Sequence, residues 1–129
     1  FKNLTGEHFT RVIDRSLQEQ SISCQGPIQA SIESLTHAGI YLASEVISAI
    51  VHVHHKALWE KMLEGDYPRT KKETAYGTLE MALEVGELIK ANPSGILVME
   101  GHQDGVVFYG QTLAEATRLT LETFHLLVT

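Results

Sequence analysis

Residues 47–54 read Ile47-Ser48-Ala49-Ile50-Val51-His52-Val53-His54. The run over 47–53 is short and rich in β-branched side chains, which favours a buried strand over a helix. Alternate residues of a strand project to one face with Cα atoms about 6.6 Å apart, so His52 and His54 arrive on one side together. His55 follows directly and faces the opposite side if the strand persists.

Working outward, Gly26-Pro27 breaks regular structure upstream, and Ser31 is placed to cap a helix whose apolar positions Leu35, Ile40 and Tyr41 recur at roughly helical spacing. Glu33 falls in its first turn. Farther upstream, residues 8–13 and 21–24 are short, partly alternating segments around the polar stretch 14–20, the pattern of a hairpin or two neighbouring strands. Downstream of the histidines, residues 56–63 form helix readily, Gly65 and Pro68 end that helix, and the basic stretch 69–72 reads as an exposed loop. Thr78 caps a second helix running to Ile89, with Met81, Val85, Leu88 and Ile89 as its apolar stripe and Asn92-Pro93 as its stop. Two strands at 96–99 and 106–109 flank the polar turn 100–105, and a final helix runs from about Leu113 to Leu127. Interleaved strands and helices, with no repeat or linker, point to one α/β domain with helices covering a sheet.

A chain of 129 residues with 43% hydrophobic content builds one core without disulfides, and the lone Cys24 cannot form an internal bridge. No apolar run reaches the ~18 residues of a membrane span. A net charge of −6 excludes general affinity for nucleic acid or anionic lipid, which needs concentrated Lys and Arg. A reducing, cytoplasmic setting is expected. Phe1 opens the chain without a basic or apolar leader, which suggests that a segment is missing upstream.

Two imidazoles as close as those of His52 and His54 can share one ion, with zinc at about 2.0 to 2.1 Å from each nitrogen. A catalytic zinc commonly keeps three protein ligands and an open position. His102 is the best third donor, because it lies in a glycine-flanked turn at a strand end, where loops present functional groups. Asp104 either stabilises that turn or orients His102 as a hydrogen-bond acceptor. Glu33, read alone, compensates a helix N-terminus. His37 and His125 read as packing residues on helices, and Trp59 and Tyr41 as core or interface aromatics.

Taken together, four segments resemble the class II aldolase/adducin family across nearly the whole chain, from about Leu4 to Leu127. They are Ser31-Ile32-Glu33 before a helix, His52-Val53-His54 ending a strand, Tyr76-Gly77-Thr78 opening a helix, and His102 ahead of Gly105-Val106-Val107-Phe108-Tyr109-Gly110. The resemblance implies a three-layer α/β/α sandwich with a central, largely antiparallel sheet. It also implies a divalent ion, zinc by preference, on His52, His54 and His102, with Glu33 as a fourth ligand or the proton-transferring base. The implied activity is that of a metal-dependent aldolase or epimerase acting on a small, phosphorylated ketose or hydroxy-carbonyl compound through enediolate chemistry, in a homo-oligomer, a tetramer by preference. The alternative is a non-catalytic, adducin-like assembly module.

The chain departs from the family pattern at several points. Ile32 stands where a second Ser is frequent, the stretch from His54 to Tyr76 is short, and Gln103-Asp104 intervene between His102 and Gly105. The family's upstream Gly-Asn-Ser type phosphate loop has no counterpart before Phe1, as expected either of a partial chain or of a protein that has lost phosphate recognition. The fold and the donor set are therefore expected to carry over more directly than the substrate.

Overall fold

The structure, a computed structural model, describes residues 3–129. After a 3-10 turn at Gly6–His8 come β1 (Arg11–Ser16), β2 (Ser21–Gln25), α1 (Ser34–Ala43), β3 (Ala49–His54), α2 (Lys56–Glu64), α3 (Leu79–Ala91), β4 (Ile96–Val98), β5 (Gly105–Gly110) and α4 (Leu113–Val128). The fold is mixed α/β with antiparallel sheets. The expected hairpin is present as β1 and β2, although its first strand starts and ends later than the alternation suggested. The chain before it closes instead into the 3-10 turn, where His8 Nδ1 accepts from Thr5 N at 3.0 Å.

The second sheet has the order β3-β5-β4, both pairs antiparallel. Its central strand β5 reads Gly105-Val106-Val107-Phe108-Tyr109-Gly110 and is buried except at Gly110. Such a continuous apolar run suits a strand covered on both faces. Val107 and Tyr109 join Leu97, Met99 and Ile40 of α1 with Met81, Val85 and Ile89 of α3 in one core. Val106 and Phe108 turn the other way and join Val98 with Leu58 and Met62 of α2, over which Leu119, Phe124 and Leu127 of α4 also pack. Period-two alternation along β5 thus divides the apolar interior between two helix pairs.

Helices α1 and α3 approach closely because Gly39 faces the Ala82 backbone and Gly86 faces the Gly39 carbonyl. A Cβ at Gly39 would overlap the Ala82 carbonyl oxygen, so that position requires glycine. The cap expected at Thr78 is present, and Thr112 makes an equivalent one. Thr78 Oγ1 accepts from Met81 N at 3.1 Å, and Thr112 Oγ1 accepts from Glu115 N at 3.1 Å. Each satisfies one backbone donor at a helix start.

Three local expectations are corrected. Ser31 is not the cap of α1: Glu33 occupies that position, and the Ser31 hydroxyl instead accepts from Glu33 N at 3.2 Å, forming the turn that leads into the helix. Of the two roles expected for Tyr41, core or interface, the core is overturned: the residue is 40% exposed, because α1 buries Ala38 and Ile40 against α3 and leaves Tyr41 outside that cluster. Residues 69–72 are not a free loop. Arg69 bridges to Val98 beside the sheet, Thr70 N donates to the Val98 carbonyl at 3.1 Å, and Thr70 is 1% exposed. The charges disguised that segment, since its backbone adds to the sheet edge while Lys71 and Lys72 point to solvent.

A further anchor follows it. The Glu84 carboxylate on α3 accepts from Lys71 N and from the Thr74 hydroxyl, each at 2.5 Å. Gly101 then rests on the carbonyl oxygens of Thr74, Lys71 and Lys72, where a Cβ would collide.

Candidate metal centre

The ladder between β3 and β5 sets the two strand histidines. His52 lies opposite Val107 and His54 opposite Gly105, so both share the face that Val107 and Ile50 present to α1 and α3. Val51 and Val53 point the other way, towards α2 and α4. His102 comes from the turn between β4 and β5. That turn closes through His102 N donating to Met99 O at 3.1 Å and Gly105 N donating to His102 O at 2.9 Å. Asp104 takes the left-handed conformation within it, φ 65°.

The three imidazoles converge, each offering a ring nitrogen such that these atoms lie within 4.8 Å of one another. The His52 and His54 Nε2 atoms are 3.0 Å apart. Two nitrogens on a tetrahedral zinc, with bonds of about 2.0 to 2.1 Å, sit about 3.3 Å apart, so the pair is close to ligating separation. His52 Nδ1 is 3.2 Å from the Val106 carbonyl oxygen. A carbonyl only accepts, so Nδ1 carries the proton and the Nε2 lone pair faces the cluster. Burial, followed by the neighbouring charges of His54, His102 and His37, lowers the His52 pKa to about 4, so His52 is neutral at pH 7. Burial and then His54 lower His102 as well.

Glu33 stands beside this cluster. Its Oε1 is 3.7 Å from His102 Nδ1, and the residue is 7% exposed. Neither carboxylate oxygen nor His102 Nδ1 has a hydrogen-bond partner, though all are buried. Buried polar atoms ordinarily find partners, so the unpaired carboxylate oxygens beside the imidazoles suit a group held at the cluster. Burial pushes the Glu33 carboxyl above the ordinary 4.5, outweighing the neighbouring Thr36 hydroxyl and His54, which act to lower it. Three convergent imidazole nitrogens form a donor set suited to a divalent ion such as zinc.

The remaining sequence candidates fall elsewhere. His55 caps α2, its Nδ1 accepting from Leu58 N at 3.2 Å while its ring meets Phe124 edge-on at 5.0 Å. Among the described residues no hydrogen bond joins Asp104 to His102, whose Nδ1 is unpartnered, so the expected orienting contact is absent. His37 is held in the neutral range by burial on α1, and His125 lies on α4 with Nδ1 3.3 Å from Thr129 Oγ1. Trp59 donates its indole N–H to Met99 O at 2.9 Å, holding α2 to the start of the His102 turn.

One neighbour escaped the reading of individual residues. Tyr76 stacks on His102 with ring centroids 4.3 Å apart and an interplanar angle of 18°. Its place before Gly77-Thr78 marked a helix start, and nothing in local periodicity links it to a turn so distant in the chain.

Comparison with protein families matches residues 1–127 to the class II aldolase and adducin N-terminal domain. Comparisons with curated proteins and with solved structures give no match.

Proposed function

The chain belongs to the class II aldolase and adducin N-terminal domain family, and on that premise we propose that it is a metal-dependent lyase or epimerase acting on a small, phosphorylated ketose or related hydroxy-carbonyl compound. One observation carries this reading: a buried carboxyl without a hydrogen-bond partner, Glu33, beside three convergent imidazoles. His52, His54 and His102 would hold the ion, zinc by preference. When bound there, it supplies electrophilic polarisation of a substrate oxygen and acidifies the adjacent carbon.

The protein's own groups do the rest. His52 is fixed by the Val106 carbonyl with its free nitrogen inward, so the donor set requires little reorganisation. Glu33 is the base. Burial raises its proton affinity above that of an ordinary carboxyl, the direction that suits a group taking up a proton. Its position at the start of α1 sets the carboxyl against His102, so a proton leaving a substrate carbon at the cluster travels a short way to Glu33 Oε1. Departure of a carbon fragment, re-protonation on the opposite face, or loss of a hydroxyl would then yield cleavage, epimerisation or dehydration.

The same reading takes the domain to be a three-layer α/β/α sandwich in a cytoplasmic homo-oligomer, a tetramer by preference. Exposed Leu113, Leu121 and Leu126 on α4 supply apolar surface for assembly. A monomeric mass by light scattering at micromolar concentrations and above would overturn the assembly.

Proton exchange tests the chemistry whichever product forms. Protein reconstituted with zinc is incubated in D2O with a panel of ketose phosphates and free ketoses, and exchange of carbon-bound hydrogen is followed by NMR. The parent should exchange at least one member, and Glu33→Gln should lose at least ~100-fold of that rate while retaining metal. Absence of exchange and of cleavage across the panel would refute the enzymatic reading and favour an adducin-like assembly module.

A further inference from the structure

We propose that Tyr76 is a positioning residue for His102, holding the third imidazole of the centre by stacking where His52 is held by a hydrogen bond. The inference rests on the metal-centre reading above.

The contrast with His52 is the starting point. His52 has its Nδ1 tied to the Val106 carbonyl, which fixes its rotation about the side chain. A ligating histidine ordinarily has such a polar partner on its second nitrogen, and loss of that partner weakens metal binding. His102 has none, since its Nδ1 is buried without a hydrogen bond and Glu33 Oε1 lies 3.7 Å away. Its ring is confined by shape instead. Gly105 closes one edge, where a Cβ would stand 3.2 Å from Cγ and 3.3 Å from Nδ1. Tyr76 covers one face, nearly parallel at 18°.

Tyr76 is itself held in place. The next residue, Gly77, adopts φ 70°, a left-handed conformation that glycine takes without strain. Ile32 packs into the space a Cβ would fill there, with its Cγ1 and Cδ1 at 2.5 and 2.6 Å from that position. Ile32 precedes Glu33, so the segment bearing the base and the segment bearing Tyr76 brace each other. This gives a physical role to the Ile at a position where the family often has Ser: it supplies a branched apolar contact to the Tyr76-Gly77 bend. Tyr76 is 52% exposed and belongs to neither buried core, so its stack on His102 is separable from the stability of the fold.

Cobalt(II) and zinc titrations against a competing chelator, read by the visible spectrum of the cobalt form, test this on the whole chain. Tyr76→Phe keeps the ring and should bind within about twofold of the parent. Tyr76→Ala should bind about tenfold more weakly, the lower end for loss of a residue that orients a ligand, and should alter the cobalt band shape. The melting temperature of the metal-free Ala variant should match that of the parent. In the metal-free protein, ring-current shifts of the His102 imidazole protons should persist in Tyr76→Phe and vanish in Tyr76→Ala. Parental affinity in Tyr76→Ala, or equal weakening in Tyr76→Phe, would overturn the stacking role alone. Failure of the parent to bind either metal would overturn both this inference and the centre on which it rests.

Discussion

Replacing Glu33 by Gln should make the metal-free protein more stable at pH 8 while removing its capacity for proton transfer. The carboxyl is 7% exposed, and its burial outweighs the neighbouring Thr36 hydroxyl and His54, which favour the charged form, so the folded chain carries a net desolvation cost for this group. A buried acceptor left without a hydrogen bond costs about 1–3 kcal/mol, more when charged. The Gln amide fills the same space and is also left unpaired, so only the charge-dependent part is recovered, on the order of 1 kcal/mol. For a chain of this size that corresponds to about 4 °C in melting temperature. The pH dependence has a definite sign. Burial raises the folded-state pKa above 4.5, so the folded chain retains a proton that the unfolded chain has released. The Glu33 contribution is therefore most favourable below 4.5 and is lost as pH rises through the folded-state value. The gap between variant and parent should be wide at pH 8 and narrow towards pH 5, measured by thermal unfolding in chelator. Added zinc should reverse the order, because the parent alone presents a carboxylate to the ion. A Gln variant that melts at or below the parent at pH 8 without metal would show that Glu33 is fully compensated in the folded state and would refute its role as a group poised for the ion.

Three further outcomes are expected. Elemental analysis of reconstituted protein should give one divalent ion per chain, and free metal at 100 times its Kd should stabilise the fold by about 2.7 kcal/mol, an increment absent from a His52→Ala/His54→Ala variant. Because burial and the neighbouring imidazoles bring His52 to about 4, its contribution to metal-free stability is complete above the ordinary 6.5 and is lost as pH falls towards 4; His52→Gln should flatten the melting-temperature slope over that window, and an unchanged slope would contradict the assignment. Gly77→Ala should destabilise by roughly 1–2 kcal/mol in urea titrations, because φ 70° is strained for alanine and Ile32 must move; a neutral result would mean that the bend is free to relax.

Strand and helix patterns are legible wherever one physical signal dominates. The β-branched run before His52 gives a strand, and Thr78 with Asn92-Pro93 gives a helix with both ends. Residues 69–72 mislead because side-chain charge says nothing about whether a backbone N–H finds a sheet edge. The start of α1 is displaced by two residues, from Ser31 to Glu33, because a serine makes a turn before a helix as readily as it caps one. At the site, period two unites His52 and His54, whereas their convergence with His102 and Glu33 depends on β5 pairing and on α1 packing across the sheet, which no local pattern encodes. Resemblance to a family supplies that long-range information. It does not supply the Tyr76 stack, which joins residues on separate turns through contact alone.

The Glu84 anchor bears on how the centre opens. His102 sits on a turn whose glycine rests on the backbone of residues 71–74, and that backbone is fastened to α3 by both oxygens of one carboxylate. Helix α3 in turn packs at glycine distance on α1, which begins at Glu33. The third imidazole therefore cannot flutter as a loop residue would; it shares the cooperative unit of the helix pair. Amide exchange around His102 would follow sub-global opening of α1 and α3, and any ligand that enters by displacing this turn waits on the slow clock of that opening.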